Sequence, residues 1–126
     1  MRPARIAAMY SAQVLDHFQN PRNAGEMAEP DAVVTVENPA CGDIIKLALK
    51  VQGDRIVEIR FKAKGCVPAM ACASLLTELL GGKTTGEARS LKREDLIAAT
   101  GGLPEASLHA SQLAIDTLAA VLKQLK

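Results

Sequence analysis

Four side chains in this sequence carry donors suited to a metal: Cys41, Asp43, Cys66 and His109. Cys41 and Asp43 belong to Asn38-Pro39-Ala40-Cys41-Gly42-Asp43, where a glycine frees the backbone between a soft sulfur and a hard oxygen donor. Cys66 follows Gly65 and precedes Val67-Pro68, a sequence that opens a helix. Exposed N–H groups and the helix dipole at such a start favour thiolate, the form that binds metal. His109 stands near the beginning of the last amphipathic segment, just off its apolar stripe, so its ring can face either the neighbouring loops or water. Two sulfurs, one carboxylate and one imidazole suit tetrahedral zinc, and they could also hold an iron–sulfur cluster given the right geometry. The donors are dispersed rather than paired as CxxC, so their spacing alone leaves ordinary unligated thiols as the alternative. Cys72, the remaining cysteine, shares a helical face with Leu75, Leu76 and Leu79 and reads as a small buried hydrophobe.

The elements that must position these groups follow from periodicity. Tyr10, Val14 and Phe18 recur at helical spacing before Asn20-Pro21-Arg22-Asn23-Ala24-Gly25 stops the helix. Val34 and Val36 share one face of a strand. Ile45, Leu47, Leu49 and Val51 alternate with Ile44, Lys46, Ala48 and Lys50; after Gln52-Gly53-Asp54, Val57, Ile59, Phe61 and Ala63 alternate with Ile56, Glu58, Arg60 and Lys62, predicting an antiparallel hairpin. From Pro68 the period becomes helical as far as Gly81-Gly82. Thr84 and Glu87 have capping-box spacing, Leu91 to Ala99 reads as a short helix ended by Gly101-Gly102, and Leu108, Ser111, Ile115, Leu118, Leu122 and Leu125 mark a C-terminal helix. One helix, three strands and then helices predict an α+β fold, a three-stranded antiparallel sheet with helices packed on one face.

Composition narrows the function. With 126 residues the chain is one domain, residues 1–8 being expected as a flexible N-terminal extension. Fifteen basic against fourteen acidic residues leave a net charge of +1, so no strong field draws the chain to nucleic acid or to a membrane surface. Tyr10, Phe18 and Phe61 are the whole aromatic complement, too few for a base-stacking platform. Apolar runs fall well short of the ~20 residues of a membrane span. An odd number of cysteines without an export signal predicts a cytoplasmic protein with free thiols rather than a disulfide framework.

Several segments together resemble one family, the IscU/NifU N-terminal iron–sulfur scaffolds. They are Tyr10-Ser11 with Val14; Asp16-His17-Phe18-Gln19-Asn20-Pro21-Arg22-Asn23 with Gly25; Asn38 to Asp43; Phe61-Lys62-Ala63-Lys64-Gly65-Cys66; Thr77-Glu78 before Gly82-Lys83; and Leu103-Pro104 followed by Leu108-His109. The resemblance implies an IscU/SufE-like fold with a solvent-facing ligand pocket at one end. It implies a non-enzymatic carrier that takes sulfur from a cysteine desulfurase, holds a labile 2Fe-2S cluster transiently and passes it to apo iron–sulfur proteins, with zinc at the same residues when no cluster is present. Carried over by position, Cys41 and Cys66 match two cluster cysteines, Asp43 the aspartate that makes the cluster labile, and His109 the histidine beside a third cysteine.

Two departures accompany the match. The third cysteine is replaced by Ala110, so a thiolate is missing, and a cysteine restored there is expected to stabilise the cluster. Leu103-Pro104-Glu105-Ala106-Ser107 stands where scaffolds served by an Hsp70-type chaperone carry Leu-Pro-Pro-Val-Lys. The alternative reading is a zinc-binding or metal-free homologue that acts by engaging the desulfurase; a third is a sulfurtransferase carrying persulfide on Cys66 or Cys41. A monomer or weak homodimer is expected.

Overall fold

The computed structural model describes residues 10–40 and 42–125; the expected N-terminal extension and Cys41 lie outside them. The elements in order are α1 (Ala12–Gln19), β1 (Ala32–Asn38), β2 (Asp43–Gln52), β3 (Arg55–Lys64), α2 (Val67–Leu80), α3 (Thr85–Arg89), α4 (Arg93–Ala99), a 3-10 turn (Glu105–Ser107) and α5 (Leu108–Lys123). The strands form one antiparallel meander in the order β1-β2-β3. Ile45, Leu47, Leu49, Ile59 and Phe61 are buried on its inner face. Helices α2 and α5 pack against the sheet and each other, and their Ala69, Ala73 and Ala114 are small residues of the same core. The expected α+β architecture is the one observed.

Two faces differ from the simple periodic reading. Lys50 pairs with Glu58 while Val51 pairs with Ile56, so Val57 is an extra residue on β3. This bulge reverses the phase of the strand. Ile56 is therefore fully buried and Val57 is 52 % exposed, the opposite of strict alternation. On α1 the inward residues are Val14 and His17, whereas Phe18 is exposed.

Helix α2 is buried almost all round rather than along one face, because α1 packs on it as well as the sheet. That wrapping explains how a helix with Ser74 and Thr77 at buried positions survives. The Thr77 hydroxyl donates to the Ser74 carbonyl (2.7 Å), and Ser74 Oγ accepts from the Arg22 N–H (2.8 Å). Buried hydroxyls partnered in this way avoid the penalty of an unmade hydrogen bond. The Thr84–Glu87 capping box at the start of α3 forms as expected.

Candidate metal centre

Three segments distant in the chain meet at one end of the sheet. Asp43 opens β2, Cys66 is the N-cap of α2 immediately after β3, and His109 lies in the first turn of α5. Because β2 and β3 are antiparallel and Ile44 faces Lys64, the start of one strand lies beside the end of the other. The meander thus brings Asp43 to Cys66 although they are 23 positions apart in the chain.

The local geometry is specific. Asp43 is buried; its Oδ1 accepts the Cys66 N–H at 3.0 Å and its Oδ2 lies 3.3 Å from Cys66 Sγ. This approach requires Gly65. Its φ is +146°, and a Cβ built there would stand 2.1 Å from Asp43 Oδ1. No larger residue fits without moving the carboxylate.

His109 Nε2 completes the triangle, 3.9 Å from Cys66 Sγ and 3.5 Å from Asp43 Oδ2. Its Nδ1 lies 3.1 Å from the Ala106 carbonyl. An Nδ1–H donated to that carbonyl leaves the Nε2 lone pair facing the other two donors, the arrangement by which ligating histidines are held. The imidazole faces inward toward the loops while its side chain stays 38 % exposed.

One sulfur, one oxygen and one nitrogen, all within 4.8 Å of one another, are the donors this end of the molecule presents among the described residues. Ordinary zinc–ligand lengths imply ligand–ligand edges of about 3.3–3.6 Å in a tetrahedron. The observed separations of 3.3, 3.5 and 3.9 Å approach that spacing before any ion draws them together. An adjoining cavity of about 420 Å³ opens to solvent and is also lined by Tyr10, Gly65, Pro68 and Ser107. Tyr10, read from the sequence as part of the helical stripe, thus lies before α1 and borders the site. Nothing in its spacing distinguishes a pocket wall from a core position.

The other expected residues divide. Cys41 lies outside the described residues; its neighbours Asn38 and Gly42 lie next to Asp43, with the Gly42 N–H bonded to the Asn38 carbonyl at 2.7 Å. Cys72 is fully buried, and desolvation, followed by the charge of Cys66, pushes its thiol up to about 12. It remains protonated and inert, as its apolar spacing predicts. Ala110 is wholly buried, belongs to the core cluster and does not line the cavity. Position 110 packs inward, one residue round the helix from His109.

Comparison with known proteins bears on the same residues. Residues 9–126 match the model of the NifU-like N terminal domain. The chain is 47 % identical over 110 residues to iron-sulfur cluster assembly scaffold protein IscU 1 of Archaeoglobus fulgidus, covering 87 % of this chain and 72 % of that protein. It is 43 % identical over 121 residues to the IscU scaffold protein of Escherichia coli K12, covering 93 % and 94 %. The crystal structure of a nitrogen-fixing NifU-like protein (N-terminal) from Brucella abortus superimposes with a TM-score of 0.76 at 23 % identity, covering 95 % of this chain and 96 % of that one, and shares its fold. The chain belongs to the NifU-like N-terminal domain family.

Proposed function

We propose that this protein is a scaffold on which an iron–sulfur cluster is assembled and from which it passes to acceptor proteins. The observation that carries this reading is the convergence of Asp43, Cys66 and His109 at a solvent-open cavity. It is supported by the scaffold role named for relatives at 43–47 % identity. Cys41, two residues before Asp43, is the fourth ligand in this proposal.

The cluster is cargo, and the donor set suits that role. Sulfur donors hold iron firmly, whereas a carboxylate and an imidazole are harder, more exchangeable ligands. With Cys41 and Cys66 as its sulfur donors, the site holds its cargo through two sulfurs at most, which favours release. The same donors take zinc when no cluster is present. A cysteine desulfurase as sulfur source, apo iron–sulfur proteins as recipients, a 2Fe-2S stoichiometry and a cytoplasmic setting belong to this proposal. An Hsp70-type chaperone at Leu103 to Ser107 also belongs to it; that segment holds the 3-10 turn Glu105–Ser107, whose Ala106 carbonyl orients His109.

Anaerobic reconstitution with ferrous iron and sulfide tests the reading. Visible charge-transfer absorption with acid-labile sulfide in stoichiometric amount, transferable to an apo-ferredoxin, is the expected result. A colourless product that retains zinc but no sulfide would overturn it in favour of the zinc-binding module.

A further inference from the structure

A second feature lies away from the metal centre. Helix α3 and the C-terminal half of α5 enclose an open groove of about 590 Å³. Its floor is Ala88, Leu118 and Leu122, all buried; Leu91 and Ile115 are half-buried walls and Ala119 is exposed. Arg89 and Lys123 stand on its rim, and no acidic residue lines it. Among the described residues, the ion pairs engage other basic side chains, and neither of these two is paired.

We propose that this groove is a docking site for an acidic amphipathic helix of a partner protein. The apolar floor selects an apolar face, and two unpaired cations on the rim select carboxylates flanking it. The occupant must be helical because the walls offer no backbone to pair with. The N–H groups of Ala88, Ser90 and Leu91 already bond to Thr84, Glu87 and Ala88 carbonyls, so an extended strand would bury its own polar groups unsatisfied.

The chain itself supplies poor occupants. Its segment 1–9 carries Arg2 and Arg5 and no acid, the wrong sign for this rim. A second copy is equally mismatched. Of its exposed large hydrophobics, Phe18 and Val57 have neighbouring carboxylates, Asp16 and Glu58, that are already paired with Arg22 and Arg60, and the Asp31 carboxylate near Val33 accepts the Val51 N–H. Lys123 lies fourteen residues beyond His109 on the same helix, roughly 21 Å along its axis. A partner held there leaves the metal centre uncovered, so the groove can tether a protein while cargo is exchanged at the other end. This inference does not depend on what the metal centre carries.

The test uses the full chain, isotopically labelled, and two synthetic amphipathic peptides of equal length, one of Leu and Glu and one of Leu and Lys. The Leu/Glu peptide is expected to shift the Leu91, Ile115 and Ala119 resonances and to bind at least ~10-fold more tightly than the Leu/Lys peptide. Arg89→Glu with Lys123→Glu, both exposed positions, should reverse that preference. Ala119→Glu, also exposed, should reduce binding of the Leu/Glu peptide at least ~10-fold while circular dichroism stays unchanged. Equal affinity for both peptides, shifts confined to another surface, or occupation of the groove by phosphatidylglycerol vesicles or a second copy in preference to the peptide would each overturn the proposal.

Discussion

Two histidines in this protein sit beside a carboxylate and a third heteroatom, yet their surroundings give them opposite roles. His17 is 5 % exposed; its Nδ1 lies 2.8 Å from Ser74 Oγ and its Nε2 3.1 Å from Glu78 Oε1. Both nitrogens are at full hydrogen-bond distance, and the network continues from Ser74 to Arg22 and from Arg22 to Asp16. Such a saturated cluster fastens α1 and the following turn to α2. His109 instead spends one nitrogen on a carbonyl and presents the other, at 3.5 and 3.9 Å, to an oxygen and a sulfur at a solvent-open cavity. An imidazole nitrogen that faces an oxygen and a sulfur beside a solvent-open cavity is placed to share a third party with them. Residue types alone do not separate the two cases; distance and solvent access do.

The widest separation of these roles is expected from Cys66→Ser compared with His17→Gln. The first should lower zinc or cobalt affinity at least ~100-fold, measured by chelator competition, and the second should leave it unchanged. If His17→Gln releases the metal as fully, the contrast between the two clusters is wrong. Gly65→Ala comes next. Its added Cβ forces either the backbone or the Asp43 carboxylate to move, so urea unfolding should show a loss of about 2 kcal/mol alongside weakened metal retention. Unaltered values for both would mean Asp43 does not depend on that close approach.

A smaller effect, of about 1–2 kcal/mol, is expected from Ser74→Ala, which strips His17 and the Arg22 N–H of a shared partner while sparing metal affinity. The same cluster carries a pH signature. Burial, then the nearby Arg22 charge, holds the His17 imidazole below its usual 6.5. The unfolded chain therefore binds that proton more readily. Its contribution to stability is complete above 6.5 and diminishes as pH falls from there toward the lowered folded value. Urea midpoints of metal-free protein should decline across that window, and His17→Gln should flatten the slope. Least change is expected from Ala110→Cys, whose thiol enters the core: stability within ~1.5 kcal/mol and no gain in iron retention. A clear gain would show that the start of α5 turns to bring position 110 to the cavity.

Much of the architecture is legible in the residues themselves, because period and punctuation are local properties. The alternation over Ile45 to Val51, the helical spacing from Cys72 to Leu79 and the capping pair Thr84 and Glu87 each predict an element that forms. The candidate donors Asp43, Cys66 and His109 are likewise identifiable by type and by their setting in the segments that resemble the family. Tertiary structure alone decided which way several of them face. One inserted residue at Val57 exchanges inside for outside on β3, the second layer of packing by α1 turns a one-faced helix into a buried one, and neighbouring positions on α5 send His109 to the cavity and Ala110 to the core. Facing is set by what packs on each side, and those partners come from parts of the chain that no local pattern connects.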